Sequence, residues 1–379
     1  MIWDARFLYR IDLRIVFILF LLMGISLITI SSFSSEFNSH LSEENLLTPL
    51  VKSQIKGFLI GWGLFFLFSG FDYNKLREYA WLIYAISLAS LVGLFFTDSI
   101  QRVHRWYQLP FIHVNFQPSE YAKLAVIIAM SWFLERRVTS SRSLSTLLGA
   151  LSIASIPFFL ILKQPDLGTA LVLYPVMLVM FYFGDLHPFI IRALIALGLV
   201  ACSIVLLIFS GLISHEEMRP YARMVLKEYQ YERLNPNTHH QKAAITAIAV
   251  GGMSGVGWKN SEYAKGGSLP AAYTDSVFSA FGEEFGFIGL VFLLVLFYAL
   301  IYCSFQVTAV AKDPFGRLLA AGIAIFLAVH VLMNIGMMCG LLPITGVPLV
   351  LISYGGSSVV STMIAVGILQ SIYSRRFMF

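Results

Sequence analysis

The chain has 379 residues, of which 58% are hydrophobic and only 12% charged, with a net charge of +5 and a mean hydropathy of +0.78. A soluble domain carries about 25% charged residues, so this balance excludes a soluble protein and marks an integral membrane protein. The three cysteines, Cys202, Cys303 and Cys339, all lie in apolar stretches and offer neither a disulfide framework nor a metal pattern.

A helix needs about 20 apolar residues to cross the hydrocarbon. Ten stretches qualify, at roughly 14–33, 55–71, 80–97, 118–134, 144–162, 167–184, 188–212, 285–311, 317–342 and 347–373. The first is long enough to span and no small-residue cleavage site follows it, so it reads as a span and not as a signal peptide. An even number of spans puts both termini on one side. The short segments on that side carry Arg6, Arg10, Arg14, Lys75, Arg77, Arg136, Arg137, Arg142, Lys312, Arg317, Arg375 and Arg376. The opposite short loops carry fewer cations, mainly Lys52, Lys56, Arg102, Arg105 and Lys163. The excess of Lys and Arg therefore places both termini in the cytoplasm. The expected fold is all-α: one polytopic domain over 1–379, with about ten transmembrane helices and a large extracytoplasmic loop at 211–286 between the seventh and eighth.

That loop is too long for a simple turn. It carries Arg219, Arg223, Lys227, Arg233, Lys242, Lys259 and Lys265, then the run Pro270-Ala271-Ala272-Tyr273-Thr274-Asp275. Several cations and one aspartate at the mouth of a helical bundle point to an anionic substrate and a candidate base.

Charged groups inside spans are expensive, and each is a functional hypothesis. Gln117-Pro118-Ser119-Glu120-Tyr121-Ala122-Lys123 opens the fourth helix from the outside. Glu120 and Lys123 share a face, either as an ion pair joining helices or in a substrate role. Asp166, where the sixth helix begins, is placed to cap it. Arg102-Val103-His104-Arg105-Trp106 suits a phosphate or an interfacial headgroup, or a plain interfacial anchor. The last loop, Pro343 to Pro348, and the Ser353-to-Ser358 segment break the tenth helix with prolines and glycines. Broken backbone at membrane depth is tolerated where protein buries it or where it lines a cavity. His113, His187, His215, His239 and His240 show no ligand spacing.

Together these segments resemble the SEDS family of bacterial cell-wall polymerases. The resemblance rests on Arg105-Trp106, Phe116 to Glu120 with Lys123, Gln164-Pro165-Asp166-Leu167-Gly168-Thr169, Arg233-Leu234-Asn235-Pro236, Thr274-Asp275, Gly282-Glu283-Glu284-Phe285-Gly286, and Pro343 to Ser358. They occur in family order over nearly the whole chain. The Gln-Pro-Asp-Leu-Gly-Thr form is similar to the RodA, or rod-shape, branch. The resemblance implies a peptidoglycan glycosyltransferase that polymerises lipid II at the outer face of the bacterial cytoplasmic membrane during elongation. It implies a class B penicillin-binding protein as partner, within the elongation machinery and membrane lipid, and no nucleic acid. The family's catalytic aspartate falls on Asp275. The family usually reads His-Thr-Asp-Phe-Ile-Phe, where this chain has Tyr273-Thr274-Asp275-Ser276-Val277-Phe278, so the packing beside the aspartate must differ.

The chemistry expected of these residues is proton removal from a sugar hydroxyl by Asp275 while a lipid-linked pyrophosphate departs. Arg105, Lys123, Arg219 and Arg223 are candidates for pyrophosphate contact, with a divalent metal such as Mg or Mn as the one cofactor. Glu120, Asp166 and Thr274 are expected to support them. Small residues at Gly286, Gly289, Ala320, Ala321, Gly322 and Ala324 are the expected surface for docking the partner's helix. Two other readings stay open on the residues alone: a transporter or flippase of the lipid-linked precursor, and a non-catalytic scaffold for a transpeptidase.

Overall fold

The structure, a computed structural model, describes residues 3–33, 47–97, 105–109, 114–223 and 228–377. Among them eight helices are long and apolar enough to cross a membrane. They are α1 (Leu13–Ser32), α2 (Pro49–Gly70), α3 (Asn74–Gly93, prolonged to Phe96 by a 3-10 turn), α5 (Leu144–Lys163), α7 (Pro188–Phe209), α12 (Val277–Val310), α13 (Pro314–Met338) and α14 (Gly356–Ser374). The shorter apolar α6 (Leu167–Phe183) and the charge-bearing α4 (Pro118–Glu135) complete the ten expected spans. The chain is an all-α membrane protein, with one small exception among the described residues. Strands β1 (Tyr107–Leu109) and β2 (Val114–Phe116) form an antiparallel hairpin pairing Tyr107 with Phe116 just before α4.

Helix starts follow local chemistry. Asp12, Thr48, Ser143, Asp166 and Asp313 cap α1, α2, α5, α6 and α13 through side-chain oxygens, supplying acceptors to the orphan N–H groups of a first turn. Pro49, Pro118, Pro188 and Pro314 occupy first-turn positions, where a missing N–H costs nothing.

The core is organised around α13, which packs against α12, α6, α4, α14 and the short helix α10 (His239–Gly251). At the opposite extreme, α7 rests on α6 and turns most of its surface outward, with Leu197 and Leu199 exposed. That suits a helix solvated by lipid chains.

The described residues between α7 and α12 form four short helices: α8 (His215–Ala222), α9 (Glu228–Glu232), α10 (His239–Gly251) and α11 (Glu262–Lys265). The eighth membrane helix begins earlier than its apolar run suggests. At about 1.5 Å per residue the 34 residues of α12 reach about 51 Å, far beyond the ~30 Å of hydrocarbon. Its outer part is set off by a kink at Gly286, with φ 64° and ψ −166°. The kink strips Glu283 and Glu284 carbonyls of helical partners. The loop after α10 supplies replacements, with Val256 N–H donating to Glu283 O (3.0 Å) and Gly257 N–H to Glu284 O (3.0 Å). In return Phe287 N–H donates to Gly252 O at 2.8 Å. The Glu283 carboxylate accepts the backbone N–H groups of Glu262, Tyr263 and Ala264, at 2.8, 2.8 and 3.0 Å, and so caps α11. The Gly282–Gly286 segment is thus a staple that fastens the outer loop to the bundle.

The tenth span is shorter than its apolar run. Residues 343–355 are non-helical and only then does α14 begin. Pro343 and Pro348 remove donors, and Gly346 takes a left-handed φ of 81°. Val347, Leu349, Val350, Leu351 and Ile352 are buried, so protein encloses the broken backbone.

Of the small residues expected to dock a partner helix, those on α13 face inward instead. Ala320, Ala321 and Ala324 are fully buried. A Cβ on Gly322 would lie 2.6 Å from the Ile127 side chain and 3.2 Å from Met180 Sδ. Close approach of α13 to α4 and α6 explains these small residues, since a helix packed on several sides needs them for its own neighbours.

Gly286→Ala places a methyl 2.3 Å from Gly255 N at a φ only glycine accepts readily. The expected cost is at least about 2 kcal/mol from strain and overlap. Thermal unfolding in detergent measures it against Gly24→Ala, whose Cβ meets nothing within 4 Å and which should leave the midpoint unchanged.

Candidate functional site

Asp275 ends a tight loop at one mouth of the bundle, immediately before α12. The loop closes on itself: Thr274 and Ser276 N–H groups both donate to Ala271 O, at 3.0 and 3.1 Å. It is then pinned from outside. Asn334 Nδ2 on α13 donates to Asp275 O (2.8 Å) and to Val347 O (2.8 Å). Ser353 Oγ donates to Thr274 O at 2.6 Å, and Tyr354 N–H to Tyr273 O at 2.9 Å. The carbonyls of Tyr273, Thr274 and Asp275 are therefore all held by α13 or by the non-helical segment before α14. Asn334 Oδ1 is buried without a partner among the described residues, so the two carbonyls fix which way the amide faces. Tyr273, where the family has His, packs edge-on against Tyr354, with centroids 5.9 Å apart.

The Asp275 carboxylate lies over Gly346, where a Cβ would come within 3.3 Å of Oδ2. Burial pushes its pKa up to about 6, and the charge of Asp166 adds to the rise. Arg105 and Arg233 oppose it. A carboxyl that titrates near 6 stays ionised at neutral pH and accepts a proton more readily than an ordinary Asp.

These three neighbours are each held by hydrogen bonds, the two arginines by backbone carbonyls. Arg105 donates through Nε to Gln164 O (3.3 Å) and through Nη2 to Pro165 O. Arg233 Nη1 donates to Thr345 O at 3.1 Å, on the loop that also carries Gly346. Asp166 fulfils its expected capping role, accepting from Thr169 N (3.3 Å) and Thr169 Oγ1 (2.9 Å). Its Oδ2 also accepts from Ser119 Oγ and Gln117 Nε2, both at 3.2 Å. It thereby ties the start of α6 to the start of α4. Gly168 allows the approach of this turn to the last loop, since a Cβ there would lie 2.8 Å from Thr345 O.

One layer below, Lys123 is fully buried. Its Nζ donates to Glu120 Oε1 at 2.8 Å and meets His330 Nε2 at 2.7 Å. An ammonium has no acceptor, so His330 Nε2 accepts, and its proton sits on Nδ1 facing Phe326 O at 2.9 Å. Ser361 Oγ lies 3.3 Å from Glu120 Oε2. The cluster joins α4, α13 and α14 as one neutral unit.

The remaining candidates lie elsewhere. Arg219 and Arg223 both pair with Glu228 on the exposed surface. Arg223 and then Arg219 hold the Glu228 carboxyl down to about 2. Neither is among the charges acting on Asp275. Arg102, His113 and Lys227 lie outside the described residues. Among the described residues no three His, Cys, Asp or Glu side chains gather at metal-ligand spacing. Neither His330 nor Asn334 stands out in the sequence. Both are polar residues in an apolar span, one turn apart, and that is the signal by which they can be found.

The sequence profile of the FtsW/RodA/SpoVE family, described as cell cycle protein, matches residues 13–376. The chain is 35% identical over 297 residues to the peptidoglycan glycosyltransferase MrdB of Escherichia coli K12, a match covering 78% of each chain. It superposes on a chain of a peptidoglycan synthase complex, described as coordinating polymerization and crosslinking. The TM-score is 0.76 at 25% identity, over 97% of this chain and 99% of that one. It is also similar in fold to the rod shape determining protein RodA of Thermus thermophilus, with a TM-score of 0.71 at 24% identity over 97% and 98% of the two chains.

Glu120→Ala leaves the Lys123 ammonium buried without its counter-ion, an expected loss of about 3–5 kcal/mol. Glu120→Leu combined with Lys123→Met should recover most of that stability in a thermal melt. The same double variant should polymerise poorly, because its lost charges stabilise the layer beneath Asp275. Full activity in the double variant would show that the pair serves packing only.

Proposed function

The chain belongs to the FtsW/RodA/SpoVE family of cell cycle proteins, and from that premise we propose that it polymerises lipid II into glycan strands, with Asp275 as general base. The observation that carries the reading is a half-buried carboxylate titrating near 6, held by its own backbone and flanked by Arg105 and Arg233. A sugar hydroxyl of the acceptor gives its proton to Asp275 as its oxygen attacks the anomeric carbon of the donor. The bond from that carbon to the pyrophosphate oxygen breaks, and the lipid-linked pyrophosphate leaves with the electron pair. A positioned base contributes about 10²–10⁴-fold. Orientation and charge stabilisation supply the rest.

Arg105 and Arg233 are the cations the fold sets beside Asp275, and we assign them the departing pyrophosphate. Arg219 and Arg223 would serve an incoming anion at the surface. Lys123 acts from below, by keeping the mouth of α4 in place. Thr274 contributes its backbone carbonyl, through which Ser353 steadies the loop. Mg²⁺ is commonly held by one or two carboxylates together with substrate phosphates. Such an ion on the pyrophosphate oxygens would neutralise charge on the leaving group, leaving Asp275 free to take the proton.

The chain is a multi-pass membrane protein. The excess of Lys and Arg in the short segments next to both termini favours cytoplasmic termini and an outward-facing Asp275, in the inner membrane of a bacterium. A class B penicillin-binding protein, a transpeptidase, would use the strands as they emerge, with elongation of the wall as the setting.

Purified protein given lipid II tests the reading. Asp275→Asn should lose at least about 10²-fold in polymerisation while still folding. In the wild type the rate should rise with pH and level off above about 6, the pKa to which burial raises Asp275, because only the ionised carboxylate accepts a proton. Near-normal polymerisation by Asp275→Asn would overturn the assignment of the base, whereas a wild type that makes no polymer but moves lipid II across a bilayer would favour a flippase, which needs no base at this face.

A further inference from the structure

We propose that His240 is a positioning residue for Asp275, acting through Ser276. The proposal rests on Asp275 being the base. Ser276 is one of the points at which the chain departs from the family pattern, which has Phe there. It is fully buried, and a buried hydroxyl needs partners. The structure provides two. Ser276 Oγ donates to Pro270 O at 2.8 Å, closing the loop that presents Asp275. His240 Nε2 lies 2.7 Å from the same oxygen.

Proton counting fixes the direction of the second bond. The serine has one hydrogen and gives it to Pro270. The imidazole must therefore donate from Nε2. Burial, with the neighbouring His239, holds His240 below its ordinary pKa, so the ring is neutral at pH 7 and its single proton is on Nε2.

The histidine stands on a firm base. Thr238 caps α10 by accepting the N–H of Gln241 (3.3 Å). The next side chain, Gln241, is buried and donates through Nε2 to Met337 O at 2.6 Å, locking α10 to α13. One turn earlier on α13, Asn334 holds Asp275 O. The two residues of the Asp275–Ser276 pair are thus gripped from two locked helices, the carbonyl by Asn334 and the serine side chain by His240. In a family member with Phe at this position no hydroxyl would be present to accept such a bond. Here the histidine–serine pair replaces apolar packing as the means of aiming the carboxylate.

Steady-state kinetics on lipid II tests this. His240→Leu removes the donor and should lower kcat about ten- to hundredfold, the scale of a sub-ångström to 1 Å displacement of a reacting group. KM should stay within about twofold of the wild type. His240→Gln, whose amide N–H reaches the place of Nε2, should restore most of kcat. Ser276→Ala should match His240→Leu, and the double variant should be no slower than either, because the pair acts as a unit. The proposal is overturned if His240→Leu keeps wild-type kcat, if the two losses multiply, or if His240→Gln fails to rescue while the melting temperature falls as it does for His240→Leu. Asp275→Asn is the control. Activity in that variant refutes the base itself, whereas inactivity there beside a normal His240→Leu refutes only the positioning role.

Discussion

The site depends on one amide. Asn334 donates both of its Nδ2 hydrogens to carbonyls, Asp275 O on one side and Val347 O on the other. Those carbonyls belong to the two non-helical segments that enter the bundle from the same end. Unpaired backbone groups in a low-dielectric interior cost several kcal/mol each. A segment that leaves helical geometry there must find donors, and the largely buried α13 supplies them. The consequence reaches function directly, because fixing the Asp275 carbonyl fixes the peptide from which the carboxylate projects.

The same rule explains the surrounding architecture. The kink at Gly286 frees two carbonyls, and the loop after α10 takes them up. The break before α14 frees others, and Ser353, itself within the break, returns a hydroxyl to the Asp275 loop. Gln54 on α2 lies within 3.3 Å of Ser353 O and 3.4 Å of Ser26 Oγ, joining α1 and α2 to that segment. Beneath them, Glu120, Lys123 and His330 form a unit with no net charge, the arrangement in which buried ions are tolerated. The polar groups close to Asp275 are thus anchored by several different helices and loops, and the carboxylate is aimed by the bundle as a whole.

Much of this was legible in the sequence. The ten spans follow from hydropathy; Asp275 attracts notice as the aspartate of the long polar loop, Glu120 and Lys123 as charges inside a span, and Asp166 as a charge where a span begins. Asp166 as a cap follows from its place before Leu167. What escaped notice depends on three-dimensional closure. The outer extension of α12 reads as loop because Ser276 to Glu284 mixes polar with apolar residues. Its helicity is secured by the staple to residues 252–257, which are distant in sequence. His330 and Asn334 are single polar residues in a strongly apolar helix, and their partners come from other elements. The small residues of α13 invite a docking surface when read in one dimension. Only the packing of α4 and α6 against them shows that the surface is already used. Arg219 and Arg223 share the sign of the expected substrate contacts, but Glu228 sits within reach and pairs with both.

The most direct measurement is the rate of lipid II polymerisation by purified Asn334→Leu, a substitution of similar size that deletes both donors. With folding and lipid II binding retained, the account predicts a fall of about a hundredfold or more, because the carboxylate loses its fixed origin. A rate close to that of the wild type would contradict it, and would place the aim of Asp275 elsewhere in the fold.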